Sequence, residues 1–170
     1  MALTLHHQNP QLLLYCGFCA IGYRLLSKKY YLSLMIVTVN RKAYFNAAHR
    51  LYNNEWSDDR NEAIFGKCAN PHYHGHNYEL IVSVTGEINP MTGFVMDMKH
   101  LKDLIKDQIE TRFDHKNLNE QVQEFKKLNP TAENMSVVIW KLFRPHIPKH
   151  LHLRITLYET PRNYVSYSGD

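Results

Sequence analysis

From Met35 the stretch MIVTVNRKAYFNAAHRL alternates well enough to predict a strand, with Phe45, Ala47 and His49 on one face and His49 near its end. The polar stretch NNEWSDDRNEAIFGKCANP then reads as a loop. A second strand is predicted over HGHNYELIVSVTGEI. There His74, His76, Tyr78, Leu80, Val82 and Val84 point one way, and Asn77, Glu79, Ile81, Ser83 and Thr85 the other. Both imidazoles therefore join the apolar face.

The pattern next changes period. In DMKHLKDLIKDQIETRF, Leu101, Leu104, Ile105 and Ile109 fall at helical spacing, with Asp97 as N-cap. A second helix is predicted after Pro130, capped by Thr131, striped by Met135, Val138, Ile139, Leu142 and Phe143, and stopped by Pro145. LHLRITLYE alternates again, placing Leu151, Leu153, Ile155, Leu157 and Glu159 on one face, before a turn at TPRN and a last strand, YVSYS. The order strand, strand, helix, helix, strand, strand predicts an α+β layer. Two helices would cover one face of a four-stranded antiparallel sheet whose apolar edges favour assembly.

Composition adds limits. The 170 residues suffice for one domain with a core, and 44% hydrophobic with 21% charged residues is ordinary for a folded chain. The net charge of +4 is concentrated at the start: residues 1–34 hold Arg24, Lys28 and Lys29 and no acid, leaving 17 basic against 16 acidic residues. That near balance lacks the clustered basic face of a nucleic-acid binder. The apolar run from Leu12 to Tyr23 falls short of the roughly 18 to 20 residues that span a bilayer, and no Lys or Arg precedes it as in a signal peptide. A signal anchor and a dispensable extension remain the two readings of residues 1–34. The extension is the one adopted, with Met35 as an alternative start, a domain over 35–170, and no membrane partner. Cys16 and Cys19 lie in the extension, so Cys68 is alone in the domain, which points to a reducing, cytoplasmic setting.

The candidate chemistry centres on CANPHYHGHNY, from Cys68 to Tyr78. An H-x-H pair on a strand aims His74 and His76 the same way, about 6 to 7 Å apart at Cα, which suits two ligands of one zinc. Surface His pairs are common in a chain with eleven His. His49 can supply a third imidazole, and three neutral imidazoles with one open position form the pattern of a catalytic zinc. By spacing alone Cys68 is either a fourth ligand or a free thiol near the metal, and His72 is read as a solvated loop residue. In FDHKNLN, Asp114 beside His115 is either a helix-end capping pair or an oriented imidazole for proton transfer. Glu159 ends an apolar strand face, where a carboxylate needs a partner. Arg162 and the N–H edge of a ligand are the alternatives.

Together FNAAHRL, GKCANPHYHGHNY, GEINPMTGFVMDMKHLK, FDHKNLN, NPTAENMSVVIW and LYETPRN resemble the 6-pyruvoyl-tetrahydropterin synthase family, which includes the 6-carboxy-tetrahydropterin synthases, in order from about Val37 to Ser168. The resemblance implies the tunnelling fold, in which subunits join their sheets into a barrel and assemble as trimers or hexamers. It implies zinc held by His49, His74 and His76, a catalytic thiol at Cys68, a proton-relay pair at Asp114 and His115, and a pterin anchor at Glu159. Thr131 and Glu133 match a secondary pterin-contacting segment, although Ala132 departs from the hydroxyl residue often seen there.

The implied reaction converts 7,8-dihydroneopterin triphosphate, with release of triphosphate, to a 6-substituted tetrahydropterin. The product would be the 6-pyruvoyl form of tetrahydrobiopterin synthesis or the 6-carboxy form of the queuosine pathway. The C-x5-H-G-H spacing is closer to the pyruvoyl branch. The folate branch replaces the thiol with Glu, so Cys68 argues against it. A non-catalytic pterin- or zinc-binding module with the same fold is the alternative, yet a binder needs neither Cys68 nor His115. As a base, Cys68 is expected to have its pKa lowered toward neutrality by the metal and by a cationic His115.

Overall fold

The computed structural model describes residues 35–169. The extension 1–34, with Cys16 and Cys19, lies outside the described residues. Two long strands dominate: β1 (Ile36–His49) and β2 (His74–Glu87) pair antiparallel along their whole length, and the register sets His49 opposite His74 and Ala47 opposite His76. β2 pairs onward with β4 (His152–Tyr158), and β4 with β5 (Tyr164–Tyr167), both antiparallel.

The sheet carries a fifth strand beyond the four expected from the sequence. β3 (Lys116–Asn117) lies parallel to β1 at Ala47 and Ala48, so the order is β3-β1-β2-β4-β5. Two residues are too few to show a period. What creates β3 is a pair of bonds just before it, where the Asn46 N–H donates to Asp114 Oδ1 and the His115 N–H donates to the Asn46 carbonyl. The sheet of one protomer is open, and the expected barrel would require several.

Helix α2 (Met98–Ile105) starts at Asp97, whose carboxylate accepts the Lys99 N–H, and continues through a π turn (Lys106–Glu110) and a short helical turn (Thr111–Phe113). Helix α4 (Ala132–Phe143) starts at Thr131, whose Oγ1 accepts the Asn134 N–H. Leu101, Ile105, Ile109 and Phe113 from the first, with Met135, Ile139 and Phe143 from the second, pack against Tyr78, Leu80, Val82, Leu153, Ile155 and Leu157. One core therefore lies between both helices and one sheet face, and each large side chain fully buried there contributes roughly 1.5–3 kcal/mol. Among the described residues no helix is long and apolar enough to cross a membrane.

The stretch expected to be a polar loop contains helix α1 (Asp58–Phe65) and a 3-10 turn (Gly66–Ala69). This helix has no apolar stripe for a sequence pattern to find. Its start is held by Ser57, whose hydroxyl accepts the Arg60 N–H, with Asp58 and Asp59 in the positive first turn. Buried Asn61 replaces an apolar anchor: its amide donates to Asn53 and Ser57 carbonyls and its Oδ1 accepts the Asn53 N–H. Gly66, at φ +55°, ends it and begins the turn that carries Cys68. A further short helix, α3 (Leu118–Gln121), follows β3, capped by Asn117.

Candidate active site

The antiparallel register delivers the three imidazoles to one point. The ligating nitrogens of His49, His74 and His76 lie within 4.8 Å of one another, and His49 Nε2 is 3.0 Å from His74 Nε2. His49 is fully buried, and its Nδ1–H donates to the Pro130 carbonyl at 2.8 Å, which leaves its Nε2 lone pair aimed at the other rings. The Pro130 carbonyl can only accept, so the tautomer is fixed. His74 Nδ1 and His76 Nε2 are buried with no hydrogen-bond partner among the described residues. Unpartnered buried nitrogens cost free energy that a cation would recover, so the donor set fits a metal ion.

Electrostatics favour, at His49 and His76, the neutral form that a metal ligand needs. Burial pushes His49 down from the ordinary 6.5 to about 4, against the Pro130 bond and helped by His74 and His76. Burial also lowers His76, partly opposed by the Glu159 carboxylate. In metal-free protein the unfolded chain therefore takes a proton at His49 near pH 6.5, while the folded chain resists it to about pH 4. The stabilising effect of a neutral His49 is fully present above that window and lost as pH falls through it, by about 3 kcal/mol in all. Urea unfolding of chelator-treated protein between pH 7 and 4.5 should show this fall, and His49→Gln should flatten most of it. An equally steep fall in His49→Gln would place the titrating group elsewhere.

Two further groups face the cluster. Glu159 sits one residue beyond β4, with Oε1 3.7 Å from His49 Nε2 and 3.8 Å from His76 Nε2. It forms no ion pair with Arg162; both line a hollow of about 580 Å³ shared with Thr131, Glu133 and Leu51. Cys68 is half-buried and borders a larger hollow of about 1170 Å³ together with His74, His76, Arg50 and Tyr73. Its loop is held close because the Leu51 N–H donates to the Cys68 carbonyl and Arg50 Nε donates to the Ala69 carbonyl. His72 is exposed and outside the cluster, as expected.

Asp114 and His115 do form an oriented pair: Asp114 Oδ2 accepts from His115 Nδ1 at 2.9 Å, which leaves Nε2 free. Burial works against the Asp114 carboxylate, but the Asn46 N–H and His115 outweigh it and hold its pKa below the ordinary range. His115 lines a different hollow, with Asn46, Ala48 and Asn77, from the one that Cys68 borders, and His76 lies in the wall of both. Among the described residues, burial and then Glu159 push the Cys68 pKa up, so a thiolate there calls for a cation close by. Arg50, Tyr73 and Asn119 lie inside the quoted motifs but drew no role from the sequence, and Glu120 lies just outside them.

Comparison with known proteins agrees with this geometry. Residues 38–170 match the family model described as 6-pyruvoyl tetrahydropterin synthase. A 6-pyruvoyl tetrahydrobiopterin synthase of Pongo abelii is 43% identical over 132 residues, which is 78% of this chain and 91% of the relative. A 6-carboxy-5,6,7,8-tetrahydropterin synthase of Rickettsia bellii is 27% identical over 76% of this chain and 99% of its own length. The solved structure of Caenorhabditis elegans 6-pyruvoyl tetrahydropterin synthase superimposes with a TM-score of 0.76 at 36% identity, covering 81% of this chain and 99% of that one.

Proposed function

The chain belongs to the 6-pyruvoyl tetrahydropterin synthase family, and from that premise we propose that it is a zinc-dependent lyase converting 7,8-dihydroneopterin triphosphate to 6-pyruvoyl-tetrahydropterin with release of triphosphate. The observation that carries this reading is the three-imidazole cluster with a buried, unpartnered nitrogen, bordered on one side by the Cys68 thiol and on another by the Glu159 carboxylate. The pyruvoyl product is favoured because the relatives named for it are the more alike in sequence, and by the C-x5-H-G-H spacing.

His49, His74 and His76 would hold the zinc, which supplies Lewis acidity that acidifies the protons of the substrate side chain. Cys68 is the base that takes such a proton. Glu159 accepts two N–H bonds from the pterin ring, and Thr131 and Glu133 line the same hollow. His115, oriented by Asp114, returns protons. Because His115 and Cys68 line different hollows of one protomer, the relay is read as completed in a homo-oligomer, a trimer or hexamer that pairs the open sheet edges.

Incubating purified, zinc-loaded protein with dihydroneopterin triphosphate and weighing the product by mass spectrometry tests the reading. A 6-carboxy product would move the chain to the other branch, and binding without turnover would make it a module. Glu159→Gln should weaken pterin binding about tenfold or more, on the roughly 1.5–3 kcal/mol scale of a charge-assisted bond, while zinc is retained. Unchanged affinity by direct titration would remove Glu159 from the ring site.

A further inference from the structure

Among the described residues only two that are not glycine hold a left-handed backbone, Tyr73 at φ +62° and His115 at φ +57°. His115 already belongs to the relay pair. Tyr73 has no part in the reading above, yet it is the residue immediately before His74 and borders the hollow of Cys68, His74 and His76. A bulky side chain is a poor occupant of this region, because its Cβ crowds the backbone where glycine would not, and such strain persists only where the surroundings hold it.

Specific bonds do hold it. The Tyr73 N–H donates to the Asn70 carbonyl, closing a turn, and the phenol donates to Glu120 Oε1 at 2.7 Å. Glu120 lies on α3, directly after the segment that carries Asp114 and His115. Its neighbour Asn119 grips the Arg50 backbone from both sides, accepting its N–H and donating to its carbonyl, and Arg50 Nε in turn donates to the Ala69 carbonyl beside Cys68. The thiol loop, 66–73, is thus fastened at Ala69 and at Tyr73 to the element that follows His115.

We propose that Tyr73 is a positioning residue: its hydrogen bond to Glu120 holds a strained backbone turn that sets the Cys68 thiol against the three imidazoles. This rests on Cys68 being the base. With the bond removed, Tyr73 relaxes toward an ordinary backbone basin, the chain changes direction between Cys68 and His74, and the thiol shifts. A misplacement of about 1 Å can cost on the order of 10²-fold in rate.

The test compares full-length, metal-loaded Tyr73→Phe, Glu120→Gln and Tyr73→Gly with the parent. It reads kcat, KM, bound metal, and the rate at which iodoacetamide alkylates Cys68, followed by peptide mass mapping so that Cys16 and Cys19 do not interfere. Tyr73→Phe keeps the strain and loses the bond, so kcat should fall at least about tenfold with KM and metal unchanged, and Cys68 should alkylate several-fold faster. Glu120→Gln, which weakens the same bond from the other side, should move both readouts in the same direction. Tyr73→Gly admits the positive φ without strain, so it should recover part of the loss and lie closer to the parent than Tyr73→Phe does. Parent-like values in Tyr73→Phe, loss of metal in it, or a fall in Tyr73→Gly as deep as in Tyr73→Phe would overturn the proposal. Should the parent itself show no turnover, the proposed reaction fails, and the alkylation rates still decide whether Tyr73 sets the thiol.

Discussion

Cys68→Ala should keep its full complement of metal while turnover falls by about 10² to 10⁴, the scale of a general acid–base group. The expectation follows from the donor set: three imidazoles already meet on one point, and a fourth protein ligand would close the position a substrate needs. The same substitution should abolish the limb of the pH–rate profile along which activity rises with pH, since that limb reports thiol ionisation. Its position depends on opposing effects. Burial and the Glu159 carboxylate both disfavour the thiolate, so metal-free protein should alkylate at Cys68 only toward high pH. Glu159→Gln removes a negative charge and should move that alkylation profile to lower pH, as should loading the metal. If Cys68→Ala empties the metal site, or if cobalt-substituted resting protein shows a thiolate-to-metal charge-transfer band, Cys68 is a ligand and His115 becomes the first candidate for the base.

Glu159 stands under competing demands. Its carboxylate faces His49 and His76 at 3.7 and 3.8 Å, borders the hollow proposed for the pterin ring, and raises the pKa of Cys68. A bound cation would offset its charge toward the thiol, and a ring donating N–H bonds to its two oxygens would engage it further. Metal, ring and thiol are therefore expected to influence one another through one side chain.

The parts of the fold with a strong period were legible from sequence. His74 and His76 were assigned to the apolar face of β2 by alternation, and Thr131 and Asp97 to helix starts by their chemistry; the structure has all four there. Helix α1 was not legible, because a buried Asn61 anchors it where an apolar stripe would have shown. β3 was missed because two residues carry no period, and its cause lies in bonds from Asp114 and His115 to Asn46, 68 residues away in the chain for the first. Glu159 was assigned to the correct face, but its neighbours, two imidazoles and not Arg162, are set by the antiparallel pairing of β4 with β2 and of β2 with β1. Tyr73 was invisible for a different reason: nothing in a tyrosine announces a left-handed backbone.

His74→Ala should lower bound metal from about one equivalent per chain to near none, with affinity weakened beyond the roughly 10–100-fold that loss of an outer partner alone costs. Of the three imidazoles, His74 gives the cleanest test. His49 is fully buried and carries the bond to the Pro130 carbonyl, so His49→Ala also leaves a cavity and an orphaned acceptor and should destabilise even the metal-free protein. His74 is half-buried and its Nδ1 has no partner among the described residues, so although its removal also takes the neighbour 3.0 Å from His49 Nε2, it should lower metal-free stability less than His49→Ala does. The two variants should therefore agree in metal content by elemental analysis and differ in urea midpoint after chelation. That divergence separates a ligand role from a folding role, because a residue needed only for packing would lower stability and leave the metal. Retention of a full equivalent in His74→Ala would mean that the cation is held elsewhere, and the three-imidazole site would have to be abandoned.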